Sequence, residues 1–395
     1  MSDAREAWIT GIGIVSCLGE GPDAHWQALS EGKVKADAEG FAPYVVHRVV
    51  PLDLDKQIPK KGDQRQMEPW LRIGTYAAGL ALDSAGVKGN NELLSRMDMI
   101  VAAGGGERDL NVDVSILSGM PGAPNPAAFL NQRLTNDLRP TLFLAQLSNL
   151  MAGNISIVHN VTGSSRTFMG EEAAGVDAVR VSLARIAAGQ SDIALVGGAY
   201  NAERLDIILH YLVDGCLWQG EPAGIWERAA KGGGMALGSM GAFLVLEEKN
   251  HAQKRGAKPF ARITSVQSEQ SRRRDGDIGR TLEKLWAMLP APSSGAAIIS
   301  GATGLEPATC EERAFLAAKP DLAVRATGTH VGDGLEPTFV LNIALAAISL
   351  RHGRLFPSTD RSGMEREMAG ALTQVVVTSV GHWRGEGLAL VESAS

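Results

Sequence analysis

The chain has 395 residues, a formal net charge of −6, and 45% hydrophobic against 21% charged residues. The length calls for two domains or one duplicated α/β unit, and the acidic balance argues against nonspecific binding to nucleic acid or acidic lipid. No apolar run spans a bilayer, and Cys17, Cys216 and Cys310 form neither a disulfide framework nor a metal-ligand spacing. The start Met-Ser-Asp-Ala-Arg-Glu lacks a signal-peptide layout, so a cytoplasmic protein without membrane insertion, metal or cofactor is expected.

Residues 8–16 form an apolar, β-branched run that reads as a strand, and 23–31 read as a helix with Trp26 and Leu29 on one face. Residues 41–63 are polar and proline-punctuated, mostly loop. A long helix is expected over 66–85 and a buried strand over 97–103, ending in Gly104-Gly105-Gly106. Residues 112–137, with three prolines, read as irregular. Helices follow over 140–151 and 176–188, the second with small or apolar residues on nearly every side, as for burial all round. Strand 192–198 leads into a loop-rich excursion over 201–233, and 240–247 is a strand. Gly232-Gly233-Gly234 lacks the helix context of a phosphate loop.

The second half repeats this order. Strands are expected over 260–266, 296–300, 374–380 and 388–391, with helices over 280–288 and 337–351, Pro337 suiting a first helical turn. Met-Asp-Met-Ile-Val-Ala-Ala-Gly-Gly from Met97 answers Gly-Ala-Ala-Ile-Ile-Ser-Gly-Ala-Thr from Gly295, and the helix after Glu172 answers the one after Asp333. The alternation implies an α/β protein of two halves, 1–250 and 251–395, divided within the charged stretch 247–258.

Several stretches together resemble the β-ketoacyl-ACP synthases, condensing enzymes of the thiolase fold. They are Ile9-Thr10-Gly11-Ile12-Gly13-Ile14-Val15-Ser16-Cys17-Leu18-Gly19 with Trp26 and Gly32-Lys33, then Gly62-Asp63-Gln64-Arg65-Gln66-Met67, the run 163–198, and 238–248 followed by Lys254-Arg255-Gly256-Ala257-Lys258. The resemblance implies a thiolase-like fold of two pseudo-symmetric halves, each a mixed five-stranded sheet layered with helices. It also implies a dimer formed through the strand 192–198. The family's chemistry needs a cysteine at a helix N-terminus, two histidines and an oxyanion hole of two backbone N–H groups.

Carried over position by position, that machinery is missing. Counting back from Gly197-Gly198 places Glu172 at the cysteine. Ser300-Gly301-Ala302-Thr303-Gly304 stands where the first histidine motif belongs, so Ala302 replaces that histidine. In Gly328-Thr329-His330-Val331-Gly332-Asp333, Gly328 replaces the family's lysine and Asp333 its second histidine; His330, three residues early, would need a local slip to serve. His382 takes the position of the aromatic gate. A carboxylate is a poor nucleophile towards thioesters, so Glu172 cannot simply stand in for a thiolate.

Glu172 can plug the old acyl site, meeting the free N–H groups and positive dipole of its helix, or it can act as a base or mimic an acylated cysteine. Asp333 is either its neighbour, sharing a proton or recruiting a cation, or a loop aspartate bonded to its own backbone. His330, His382 and Arg166 are candidate counter-charges. Lys60, Lys61 and Arg65, with Arg272, Arg273 and Arg274, are the main basic spots, and the resemblance makes them candidate docking residues for an acidic acyl carrier protein. The expected role is a chain-length-factor-like partner of an active ketosynthase, as heterodimer or homodimer, in fatty acid or polyketide synthesis. The alternatives are a decarboxylase or hydrolase of acyl or malonyl thioesters using Glu172 and Asp333, and a conventional 3-oxoacyl-ACP synthase.

Overall fold

The computed structural model describes residues 5–394, so the opening Met-Ser-Asp-Ala lies outside the described residues. Ten strands build the sheet: β1 (Ala7–Ser16), β2 (Asp98–Ala102), β3 (Ser165–Phe168), β4 (Ile193–Tyr200), β5 (Met240–Glu248), β6 (Ala261–Glu269), β7 (Ala296–Ser300), β8 (Ala323–Ala326), β9 (Gln374–Val380) and β10 (Glu386–Glu392). The two-residue strand Gly19–Glu20 folds back on β1. The first five run β3-β2-β4-β5-β1 and the second five β8-β7-β9-β10-β6. Both sets are parallel over their first three strands and antiparallel over the remainder. The resemblance implied two five-stranded sheets. In the structure they meet edge to edge, through the antiparallel pairs Ala7↔Ile263, Trp8↔Arg262 and Ile9↔Ala261.

Three long helices layer the sheet: α1 (Pro69–Ser84), α2 (Glu172–Ala187) and α3 (Thr338–Arg351). α2 and α3 follow equivalent strands, pack on each other and touch strands of both halves, which makes them the middle layer. Their sequences suit that place. α3 is buried at every residue but Arg351, and α2 carries alanines, Gly175 and Ser182 where close neighbours need room. α1 covers the outer face of the first half, with Leu150–His159 beside it. Its approach to β1 depends on Gly13, where a Cβ would lie 2.0 Å from the Ala77 carbonyl oxygen. Asp277–Ala287 and Ala308–Ala317 cover the second half. The result is a five-layered α/β/α/β/α protein.

Several expectations are corrected. Residues 112–137 are not irregular: Leu110–Gly119 and Pro126–Asp137 are helices, started by the Asp109 and Asn125 side chains accepting from backbone N–H groups, with Pro126 in the first turn. The helix expected over 140–151 breaks into Pro140–Ala145 and Leu150–His159. The excursion 201–233 holds the helices Leu205–Val213 and Ile225–Ala229. Strands β3 and β8 and the helix Ala308–Ala317 escaped the sequence reading, the strands because four residues carry too little periodicity. The dimer strand is also corrected. Strand 192–198, here β4, is paired on both sides by β2 and β5 and has no free edge, whereas β3 is an edge strand whose outer side pairs with nothing among the described residues.

Candidate functional site

Glu172 opens α2, as counted. The turn before it is strained: Glu171 sits at φ 59° and ψ −137°, a region non-glycine residues rarely enter. That backbone turns Glu172 inward, where it is 3% exposed. Its Oε1 accepts from the backbone N–H of His382 at 3.0 Å and from the His382 Nδ1–H at 2.9 Å. A carboxylate at a helix start was expected to bond the helix's own N–H groups, but this one reaches across 210 residues to the loop after β9.

His382 is held between acids. Its Nε2 lies 3.9 Å from Glu171 Oε1, and the Tyr211 ring stands edge-on to it at 5.3 Å. Burial favours the neutral imidazole, but the Glu172 hydrogen bond and the charges of Glu172, Glu171 and Asp333 outweigh it and raise His382 to about 9. The loop is clamped from behind. Arg273 donates to the carbonyls of Gly381, Trp383 and Gly385 and pairs at 2.6 Å with the buried Glu386. This corrects the place of Arg273, which turns inward, while Arg272, Arg274, Lys60, Lys61 and Arg65 are exposed.

Asp333 combines both readings offered for it. α3 starts only at Thr338, so Asp333 lies on the loop before it and bonds locally, its Oδ1 accepting from the Leu335 N–H and the Thr338 hydroxyl. It is also 3% exposed, and burial together with the Glu172 charge raises it to about 6. Among the described residues, Asp333 Oδ2 and Glu172 Oε2 have no hydrogen-bond partner.

The other substituted positions lie elsewhere. A Cβ on Gly328 would meet Ile225 Cδ1 at 2.6 Å and the Ala302 carbonyl at 3.2 Å, so Gly328 and Ala302 are neighbours and Ile225 fills the space where a lysine would begin. His330 donates from Nδ1 to the Lys33 carbonyl at 2.9 Å, and its Nε2 is 3.3 Å from the Thr359 hydroxyl. No slip brings it to Glu172. Arg166 is exposed on β3. Cys17 is buried and its thiol pushed up to about 12 by that burial, Cys310 is exposed, and Cys216 is half-buried with its thiol turned to the Asp214 carbonyl.

The sequence reading missed Glu171, Glu336, Tyr200 and Tyr211. A cleft of about 440 Å³ is lined by these four, with His210 and Arg384 among the others. Glu336 is 3% exposed, and burial raises it to about 8, so it is largely protonated at neutral pH. Its signal was a second acid three residues after Asp333, directly before Pro337 and the apolar helix that follows; that of Glu171 was the doublet directly after Gly170. Glu171, Glu172 and His382 each offer an atom within 4.8 Å of the others, a spacing compatible with a shared cation.

The five-layered duplicated architecture is that of thiolase-like proteins. Solved structures agree: "The ishigamide ketosynthase/chain length factor" matches with TM-score 0.81 at 20% identity, covering 99% of this chain and 100% of that one. A beta-ketoacyl synthase from Burkholderia phymatum STM815 matches with TM-score 0.77 at 18% identity, with the same coverage. Residues 4–252 match the beta-ketoacyl synthase N-terminal domain, and the chain belongs to that family. The 3-oxoacyl-[acyl-carrier-protein] synthase 2 of Vibrio harveyi is 26% identical over 270 residues, 66% of this chain and 61% of the relative. The tetracenomycin polyketide synthase ketoacyl synthase beta subunit of Streptomyces glaucescens is 25% identical over 266 residues, 65% of this chain and 62% of that one. The match thus spans about three fifths of the length of these two relatives. Among the described residues no helix is long and apolar enough to cross a membrane.

Proposed function

We propose that the chain is a catalytically degenerate ketosynthase homologue that assembles with an active β-ketoacyl-ACP synthase, as a chain length factor does, in fatty acid or polyketide synthesis. The observation that carries this reading is the hydrogen bond from the His382 N–H to Glu172 Oε1 at 3.0 Å. By the family correspondence, Glu172 stands at the nucleophile and His382 at the gate whose loop faces it. A carboxylate held there offers no thiolate and occupies an N–H group that faces the nucleophile position, as the oxygen of an acylated cysteine would. With Ala302 and Asp333 in place of the histidines, the imidazole pair that stabilises the enolate in the family is missing, and His382 is held cationic by its acids.

The surface supports assembly. The outer edge of β3 is unpaired among the described residues, and Ile157 and Met169 beside it are 65% and 66% exposed. A groove of about 710 Å³ lies between the helices Leu110–Gly119, Pro126–Asp137 and Leu205–Val213, lined largely by leucines. Exposed apolar surface of this kind marks a partner-binding face. Lys60, Lys61, Arg65, Arg272 and Arg274 remain the candidate carrier-protein contacts, without Arg273.

The test is to mix the purified chain with intact ketosynthases of its own organism and read the assembly by native mass spectrometry. A one-to-one heterodimer with altered product length supports the reading; a chain that stays homodimeric or monomeric with every candidate overturns it. A second reading, thioester decarboxylation or hydrolysis, is favoured by Glu336, which lines the cleft, and by the buried Asp333 three residues before it, both raised towards neutral pH by burial. It requires turnover of malonyl- or acyl-carrier protein by the lone chain, lost in Glu172→Ala.

A further inference from the structure

We propose that Glu171, Glu172 and His382 form a binding site for a divalent transition-metal ion of the zinc or manganese class. Glu171 and His382 Nε2 are the direct ligands, and Glu172 holds the imidazole. Such ions bind nitrogen and oxygen ligands at about 2.0–2.2 Å, so two ligands of one ion lie no more than about 4.3 Å apart. Glu171 Oε1 and His382 Nε2 are 3.9 Å apart, inside that limit. The Glu172 carboxylate accepts from Nδ1–H at 2.9 Å, which fixes the ring and the tautomer that turns the Nε2 lone pair towards Glu171. A carboxylate on the far nitrogen is the usual support for a metal-bound histidine.

A cluster of acids alone would say little, but one further group and an unpartnered oxygen within the cluster mark this place. Asp333 is outside the cluster and 3% exposed, has no partner on Oδ2 among the described residues, and feels the charges of both Glu172, which raises it, and His382, which lowers it. Glu172, equally buried, has an unpartnered Oε2. Buried carboxylate oxygens without donors are costly, and a cation among them offsets that cost. Glu171 borders the 440 Å³ cleft, which supplies open coordination positions for water or a further ligand. One nitrogen among carboxylates selects a transition ion over magnesium or calcium. Binding displaces the proton that His382 otherwise carries. The groups bearing on that proton are Glu171, Glu172 and Asp333 and, through Glu171, His210 and Arg384.

The inference does not rest on the assembly reading, because the lone chain suffices to test it. The full chain, freed of metal by a chelator, is titrated calorimetrically with zinc and manganese salts, with magnesium for comparison. One ion per chain is expected. Glu171→Gln and His382→Ala should each weaken binding at least about tenfold, and Glu172→Gln about 10- to 100-fold through the loosened imidazole. No single-site binding, or binding unaffected by all three substitutions, overturns the proposal. Should a variant fail to fold by circular dichroism, the electron paramagnetic resonance of manganese on the unaltered chain decides. Coupling to one histidine nitrogen supports the site, and its absence refutes it.

Discussion

Glu172→Gln isolates the charge on which the site's electrostatics depend. The amide keeps the shape and can still accept from the His382 N–H, but it removes the anion beside Nδ1. His382 rises from an ordinary 6.5 to about 9, and at 1.36 kcal/mol per unit the shift corresponds to about 3 kcal/mol. This is an upper bound for Glu172, since Glu171 and Asp333 share in it against an opposing burial cost. The sign follows from the direction: a histidine raised in the folded state stabilises fully below about pH 6.5, and that contribution is lost as pH rises through about 9. The stability gap between the unaltered chain and Glu172→Gln should therefore be widest near pH 6 and close by about pH 10. The assays are a histidine NMR titration, with the His382 signal assigned by its loss in a substituted chain, and urea denaturation across that pH range. We expect His382 to titrate at least about one unit lower in Glu172→Gln. A histidine that titrates near pH 6.5 in the unaltered chain, or the same value in both, would refute the ion pair as the source of the shift.

Four further outcomes are expected. Glu336 is raised from 4.5 to about 8, so its ionisation lowers stability progressively between those values, by about 5 kcal/mol at most; Glu336→Gln should raise the urea midpoint at pH 9 and change it little at pH 4.5. Arg273→Ala leaves the 1%-exposed Glu386 with only Ser271 as partner and should cost about 3 kcal/mol or more in chemical denaturation, whereas Arg272→Ala should be near neutral. Gly175→Ala should gain up to about 1 kcal/mol from helix propensity alone. A Cβ there would lie 2.3 Å from the Glu336 carbonyl, however, so a clear fall in thermal midpoint is the expected result. Thr167→Pro removes an N–H from the free edge of β3. It should weaken assembly in sedimentation while changing the thermal midpoint little, and unchanged assembly would exclude that edge as an interface.

Much of the fold was legible because it is duplicated. Strands 296–300 and 374–380 stand where residue pattern placed them, since both are fully or nearly fully buried and read as continuous β-branched or apolar runs. The stretch 112–137 failed because its prolines were read as breakers, although Pro126 with Asn125 before it is a helix start. β3 and β8 failed because four residues owe their strand state to a neighbour's hydrogen bonds rather than to their own pattern. The candidate site was half visible. Counting from Gly197-Gly198 placed Glu172 at the head of α2, but the same count singled out only Glu172 and Asp333 and passed over Glu171 and Glu336, the acids beside them in the chain.

The sequence by itself determined the family, the duplicated α/β order and the identity of the residues at each position of the ancestral machinery, because these depend on residue type and spacing along the chain. Only the tertiary structure decided which of them meet. Loop closure across 210 residues brings His382 onto Glu172, and burial among acids then sets its charge. The same folding turns Arg273 inward, sends His330 to Lys33, encloses β4 and leaves β3 open. Those outcomes follow from packing and strand pairing between distant segments, which local pattern does not encode.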